Sequence, residues 1–307
     1  MSGQLRADVG GGMWKSEQRF RPALTMDLLG SLAPLGIRQP ASYGSCYHAL
    51  AESAPKVTHT INNIFAWWPG GPWQEAKATG KFLGKHYRYD LCSAYRWAAT
   101  LGLPDTRTFR VWKNHKDPRS VNGLWVVALR QMDAKRIPAL LSGPGPVVVS
   151  SEDLRLYDLT PARIYRGVTW SESLPGDFVE KTLAQLPCAK QSGRAYWGRW
   201  ITRDRLTCRT ANNEWSLPNF ATNFVWGFLI IARVRARVWQ VSQQALHVYV
   251  DEVIVPHEIE TGSNIGDWHL KEIYEHGVDV RGTGWLGTTS GATIMHTGYP
   301  HSQRLVS

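Results

Sequence analysis

The stretch from Asn219 to Pro256 constrains this chain more than any other. "NFATNFVWGFLIIARVRARVWQVSQQ" (Asn219 to Gln244) reads as one long helix, the longest in the sequence. "ALHVYVDEVIVP" follows at once and reads as a β-hairpin or bent strand, with Asp251 and Glu252 interrupting an otherwise apolar run. Acidic side chains in such a strand pair need a cation or a basic partner, because an unpaired buried charge is very costly.

A second acidic residue stands where a strand-like run becomes a helix-like one. In "KHYRYDLCSAYRWAAT" (Lys85 to Thr100), Tyr87 and Tyr89 alternate with polar neighbours and Asp90 follows. Ala94, Tyr95, Trp97, Ala98 and Ala99 then recur at helical spacing. A lone Asp at this junction is expected to cap the helix. An Asp at a strand end, joined by another from a later hairpin, is also how a two-metal phosphoryl-transfer site is assembled. The carboxylates hold divalent ions that align the attacking hydroxyl and shield the phosphate charge. The competing reading for Asp251 is an ion pair with a nearby arginine.

Charge points to an acidic partner. The net charge is +10, which favours nucleic acid first and an anionic membrane surface second. The 15 Trp are expected to be mostly core, although aromatics among Arg and Lys also suit base stacking. The 4 cysteines show no CxxC spacing, which argues against a structural zinc site, and their scatter fits a reducing cytosol. The first 20 residues carry no apolar signal-peptide region, and "FVWGFLIIA" (Phe224 to Ala232) is too short to span a bilayer. A soluble, cytoplasmic protein without membrane attachment is expected.

The 307 residues suffice for one large domain or two small ones, and no composition break separates them. Short helices are expected over 23–36 and 42–53, then a turn-rich loop, "AWWPGGPWQEA". "TFRVWK" and "GLWVVALR" read as strands, "SGPGPVVVSSEDLRLY" as turn, strand and short helix, and "GDFVEKTLAQL" as a helix. In "KQSGRAYWGRW", Lys190, Arg194 and Trp197 share one helical face, which suits nucleotide phosphates. Arg235 and Arg237 are expected on a solvated helix face, and His86 and His247 as ordinary strand residues.

Taken in order, these segments resemble the palm of family B DNA polymerases, especially the phage and protein-primed branch. That family's first metal-binding Asp lies in "DxxSxYP", and "DLCSAYR" supplies Asp90, Ser93 and Tyr95, with Arg96 at the proline. The resemblance implies that Tyr95 meets the sugar of the incoming nucleotide. The fingers motif "KxxxNSxYG" is matched by "KQSGRAYWG", which gives Lys190, Arg194 and Gly198 to the nucleotide. The hairpin motif "YxDTDS" is matched by "VYVDEV". One register puts Asp251 on the second, metal-binding Asp and Glu252 on the serine; the other puts Asp251 on the first Asp. "WPGG" resembles the template-guiding "YxGG" segment and gives Trp68, Gly70 and Gly71 to DNA, and Arg233 resembles the arginine of the helix before the hairpin. Trp285 is the nearest candidate for the motif that holds the primer end.

The resemblance implies an α+β fold: a polymerase-like palm, with an antiparallel sheet backed by helices, and a short helical fingers insertion. The expected parts are an N-terminal helical segment (1–65), a first palm part (66–154), a fingers-like insertion (155–205) and a second palm part (206–307). It implies a template-directed DNA polymerase that adds dNTPs to a primer 3′-OH, with Asp90 and Asp251, and Glu252 as a third candidate, holding Mg²⁺ or Mn²⁺. Its partners would be primer-template DNA, dNTP and an accessory protein supplying thumb, clamp or exonuclease functions. A proofreading exonuclease and a clear thumb are not expected within these residues. The alternative is a non-catalytic palm that binds nucleic acid or a replication complex.

Overall fold

A computed structural model of the chain describes residues 6–8, 61, 64–65, 73–112, 117–130, 137–142, 145–184, 206–209, 214–217, 223–282, 284–290, 292–296 and 303–306. In chain order the first elements are β1 (Arg6–Asp8), β2 (Gln74–Ala76), β3 (Gly80–Phe82), β4 (His86–Leu91), α1 (Ala94–Thr100) and β5 (Arg110–Trp112). Then come β6 (Gly123–Leu129), α2 (Ala139–Ser142), β7 (Pro146–Ser150), α3 (Ser151–Leu156), β8 (Pro161–Thr169) and α4 (Phe178–Ala184). After β9 (Leu206–Arg209) and β10 (Glu214–Leu217), the long helix α5 covers Phe224–Ser242. The last strands are β11 (His247–Tyr249), β12 (Glu252–Val255), β13 (Trp268–Tyr274), β14 (Val278–Arg281), β15 (Gly284–Thr288), β16 (Thr293–His296) and β17 (Gln303–Val306). The helices expected over 23–36 and 42–53 lie outside the described residues.

The chain divides into two compact units. The first comprises residues 1–67, 102–110 and 170–227. It contains a three-stranded antiparallel sheet in the order β1-β9-β10. Phe178 of α4 packs edge-on against Trp226 at 5.9 Å, and Trp226 Nε1 donates to the Pro104 carbonyl at 2.8 Å. Asn223 accepts from the Trp226 amide at 3.1 Å, which caps the start of α5.

The second unit comprises residues 68–101, 111–169 and 228–307. Its central sheet has the order β13-β4-β12-β11-β2, antiparallel throughout. Period-two alternation sets the two faces of β4. Tyr87, Tyr89 and Leu91 are buried on one face, and Arg88 and Asp90 are half-buried on the other. On the Arg88 face, Ile254 and Tyr274 pack with Val278, Val280 and Trp285 of a second five-stranded sheet, β17-β16-β15-β14-β3.

A third sheet, β5-β8-β6-β7, has β6 as its apolar spine. Trp125 lies across Gly123 and Gly167, where any Cβ would overlap its ring, and its Nε1 donates to Ser151 Oγ at 2.8 Å. Residues 161–169, which fall within the expected fingers-like insertion, form β8 and pair along β6. Ser150 and Asp153 cap α3 reciprocally, as a capping box.

Two expectations need correction. Asp90 does not cap α1: it lies inside β4, and Ser93 holds the cap position with φ 50° and no side-chain cap bond. Arg235 is not on a solvated face: it is 2 % exposed, with Nη2 donating to both oxygens of Asp153 at 2.8 Å. A helix packed on most sides leaves little solvated face, and a buried cation is tolerated where a carboxylate meets it. Among the described residues, no helix is long and apolar enough to cross a membrane.

Candidate active site

The strand register brings two of the three carboxylates together. Glu252, the first residue of β12, lies directly opposite Asp90 of β4, so the two side chains share a face. Asp251 lies in the two-residue turn between β11 and β12, and its carbonyl accepts from the Leu91 amide at 2.9 Å. The first turn position is Val250, with φ 60°. Short hairpins favour positive φ there, but a β-branched residue adopts it only under strain, and such strain gathers at functional sites.

Each sheet carboxylate has its own cation. Lys271 Nζ is 2.9 Å from Asp90 Oδ2. Arg88 donates to Glu252 Oε2 from Nε at 3.0 Å and Nη2 at 2.7 Å, and to Glu272 Oε2 from Nη1 at 3.2 Å. A β-bulge produces this arrangement. His269 pairs with Asp90 and Leu270 with Tyr89, but Glu272 rather than Lys271 falls opposite Arg88. The extra residue, Lys271, is thereby turned toward Asp90. Neither Arg88 nor Lys271 was expected here from the sequence. The alternation of "HYRYD" carries the signal for Arg88, which period two places with Asp90; a bulge leaves no comparable mark for Lys271.

Behind Arg88 the network closes on tyrosine and tryptophan. Tyr274 donates to Glu272 at 2.6 Å, and Trp285 Nε1 donates to the Tyr274 oxygen at 3.0 Å. Trp285, considered for the primer end, is 4 % exposed and lies 5.5 Å from the Arg88 guanidinium carbon. Burial opposes the charge on Arg88, but Glu252, together with Tyr274 and Glu272, more than offsets it, so its pKa rises above the ordinary arginine value. Burial, helped by the charges of Glu252 and Asp251, pushes the Tyr249 hydroxyl up to about 12.

Tyr95, on α1, lines a small cavity with Trp73, Ile231, Val234, Arg235 and Val250. Ser93 is exposed at the head of α1. Arg233 is engaged within the unit: its Nη2 donates to Glu152 Oε1 at 3.0 Å and its Nη1 to the Ala98 carbonyl at 3.0 Å. Trp68, Gly70, Gly71, Lys190, Arg194 and Gly198 lie outside the described residues.

Hard carboxylate oxygens suit Mg²⁺ or Mn²⁺. Among the described residues no cluster of three or more His, Cys, Asp or Glu side chains forms a metal cage. Mg²⁺ needs no such cage, since it commonly binds through one or two carboxylates and completes its shell with water and substrate phosphate. Asp90 and Asp251 are donors of that chemical type.

An antiparallel sheet, backed by helices and carrying carboxylates at a hairpin, gives the chain a polymerase-like α+β fold. The particular likeness is to Phi29 DNA polymerase. Its complex with single-stranded DNA has a TM-score of 0.54 and 14% identity, over 91% of this chain and 61% of that one. The ternary complex with primer-template DNA and incoming nucleotide substrates gives the same values. The binary complex with primer-template DNA differs only at 13% identity and 62% of that chain. This chain thus spans about three fifths of the length of those polymerase chains. At such identity the likeness is one of fold. No protein-family model matches the sequence, and no curated protein matches it.

Proposed function

We propose that this chain is a template-directed DNA polymerase of family B type, adding dNTPs to a primer 3′-OH in the cytoplasm. The observation that carries the reading is the β4–β12 register, which sets Asp90 beside the acidic hairpin within a polymerase-like fold. Asp90 and Asp251 would hold Mg²⁺ or Mn²⁺. When bound, such ions align the primer hydroxyl with the α-phosphate and stabilise the oxygens that enter and leave.

The chain's own residues supply the rest. Asp90 contributes a carboxylate on a rigid central strand, and the bond from Leu91 to the Asp251 carbonyl fixes the turn against that strand. Lys271 neutralises Asp90 in the absence of a metal. Tyr95 and Ser93 would border the nucleotide sugar, Lys190, Arg194 and Gly198 the triphosphate, and Trp68, Gly70 and Gly71 the template. A separate protein would supply thumb, clamp or exonuclease functions.

The second reading is a non-catalytic palm that binds nucleic acid or a replication complex. It is favoured by one feature: Asp90 and Glu252 each already have a cationic partner. Titration with Mn²⁺ and dNTP separates the two. A catalytic palm gains thermal stability from both ligands and loses the gain with Asp90→Asn; a non-catalytic palm gains from neither.

A further inference from the structure

We propose that Arg88 is a positioning residue that withholds Glu252 from the metal pair and so keeps the site a two-carboxylate site. The inference rests on the polymerase reading and deepens it. By register alone Glu252 should be the first partner of Asp90, since the two are directly opposed on one sheet face. Its carboxylate is drawn instead into a fork of two donors from Arg88.

Arg88 itself cannot readily follow a metal. Its third bond goes to Glu272, its guanidinium lies over Trp285, and its side chain is 11 % exposed. Glu272 is fixed in turn by Tyr274, and Tyr274 by Trp285. The network thus ties Glu252 to the second five-stranded sheet, through two tandem aromatic donors. Asp90 is placed differently, since its ion pair is with Lys271, a flexible and more exposed side chain at 39 %.

Mn²⁺ affinity, read from the free-ion electron-spin-resonance signal without DNA or dNTP, tests this on the whole chain. Glu252→Gln is expected to leave the affinity within about twofold of wild type, whereas Arg88→Gln frees Glu252 and tightens it about tenfold, the scale typical of residues that orient a metal ligand. The double substitution Arg88→Gln with Glu252→Gln is expected to return to the wild-type value. A weakening of about tenfold in Glu252→Gln alone overturns the proposal, as does an unchanged affinity in a folded Arg88→Gln protein. If Arg88→Gln does not fold, the Glu252→Gln comparison decides. Asp90→Asn separates the layers. Should it leave Mn²⁺ binding intact, the metal reading itself fails; should it abolish binding while Glu252→Gln also weakens it, only the Arg88 proposal falls.

Discussion

Asp90 and Glu252 oppose each other across β4 and β12, yet each carboxylate answers to a different cation, Lys271 at 2.9 Å and Arg88 at 2.7 Å. The Lys271 pair is the more accessible, with side-chain exposures of 39 % and 16 %, against 11 % and 20 % for Arg88 and Glu252. In the proposed metal site, a divalent ion at Asp90 would therefore compete chiefly with Lys271.

Lys271→Met should tighten Mn²⁺ binding by no more than about fivefold, since a partly exposed ion pair is worth about 1 kcal/mol at most. Equilibrium titration of the variant checks this. A weaker affinity would mean that Lys271 assists the ion rather than competes with it.

Asp153 carries two loads, the capping box of α3 and the buried ion pair with Arg235. Asp153→Ala leaves a guanidinium at 2 % exposure without its carboxylate, and should cost about 3–5 kcal/mol in urea unfolding. Glu152→Ala, which breaks the pair with Arg233 at a carboxylate 40 % exposed, should cost about 1 kcal/mol or less.

Gly167→Ala tests how tightly the third sheet is packed. The added Cβ would overlap Trp125 Cε3, and Trp125 is fully buried with its indole nitrogen fixed to Ser151. The ring cannot move aside without breaking that bond. A loss of about 1–3 kcal/mol is expected from the unfolding midpoint.

Alkaline pH should destabilise the fold through half-buried and buried tyrosines. Tyr249 ionises near 12 when folded and near 10 when unfolded, so its contribution is fully present below pH 10 and is lost as pH rises toward 12. Burial raises Tyr157 and Tyr274 as well, which reinforces the same trend. Tyr249→Phe should flatten the fall of melting temperature over that window, and an unchanged slope would contradict the assignment.

Much of the architecture was legible because it follows from periodicity. The long helix, the acidic hairpin, the strand ending near Asp90 and the pair of strands around Trp125 all carry patterns of period two or 3.6. What was not legible came from pairing. The capping rule assigned Asp90 to a helix that begins only after Leu91 and Cys92. Counting arginines on α5 could not reveal that Arg235 meets Asp153, a residue far away in sequence. The bulge that exchanges Lys271 for Glu272 opposite Arg88 arises only when β13 joins β4, so Lys271 left no mark in the sequence, whereas the period-two alternation that sets Arg88 with Asp90 was there to be read.

The most direct test of the central claim is extension of a short primer-template with all four dNTPs in Mg²⁺ and in Mn²⁺, with Asp90→Asn as control. The account predicts extension by the wild-type chain and none by the variant, with melting temperatures that agree when no metal is added. Equal extension by both proteins, or DNA binding without extension by either, would contradict it.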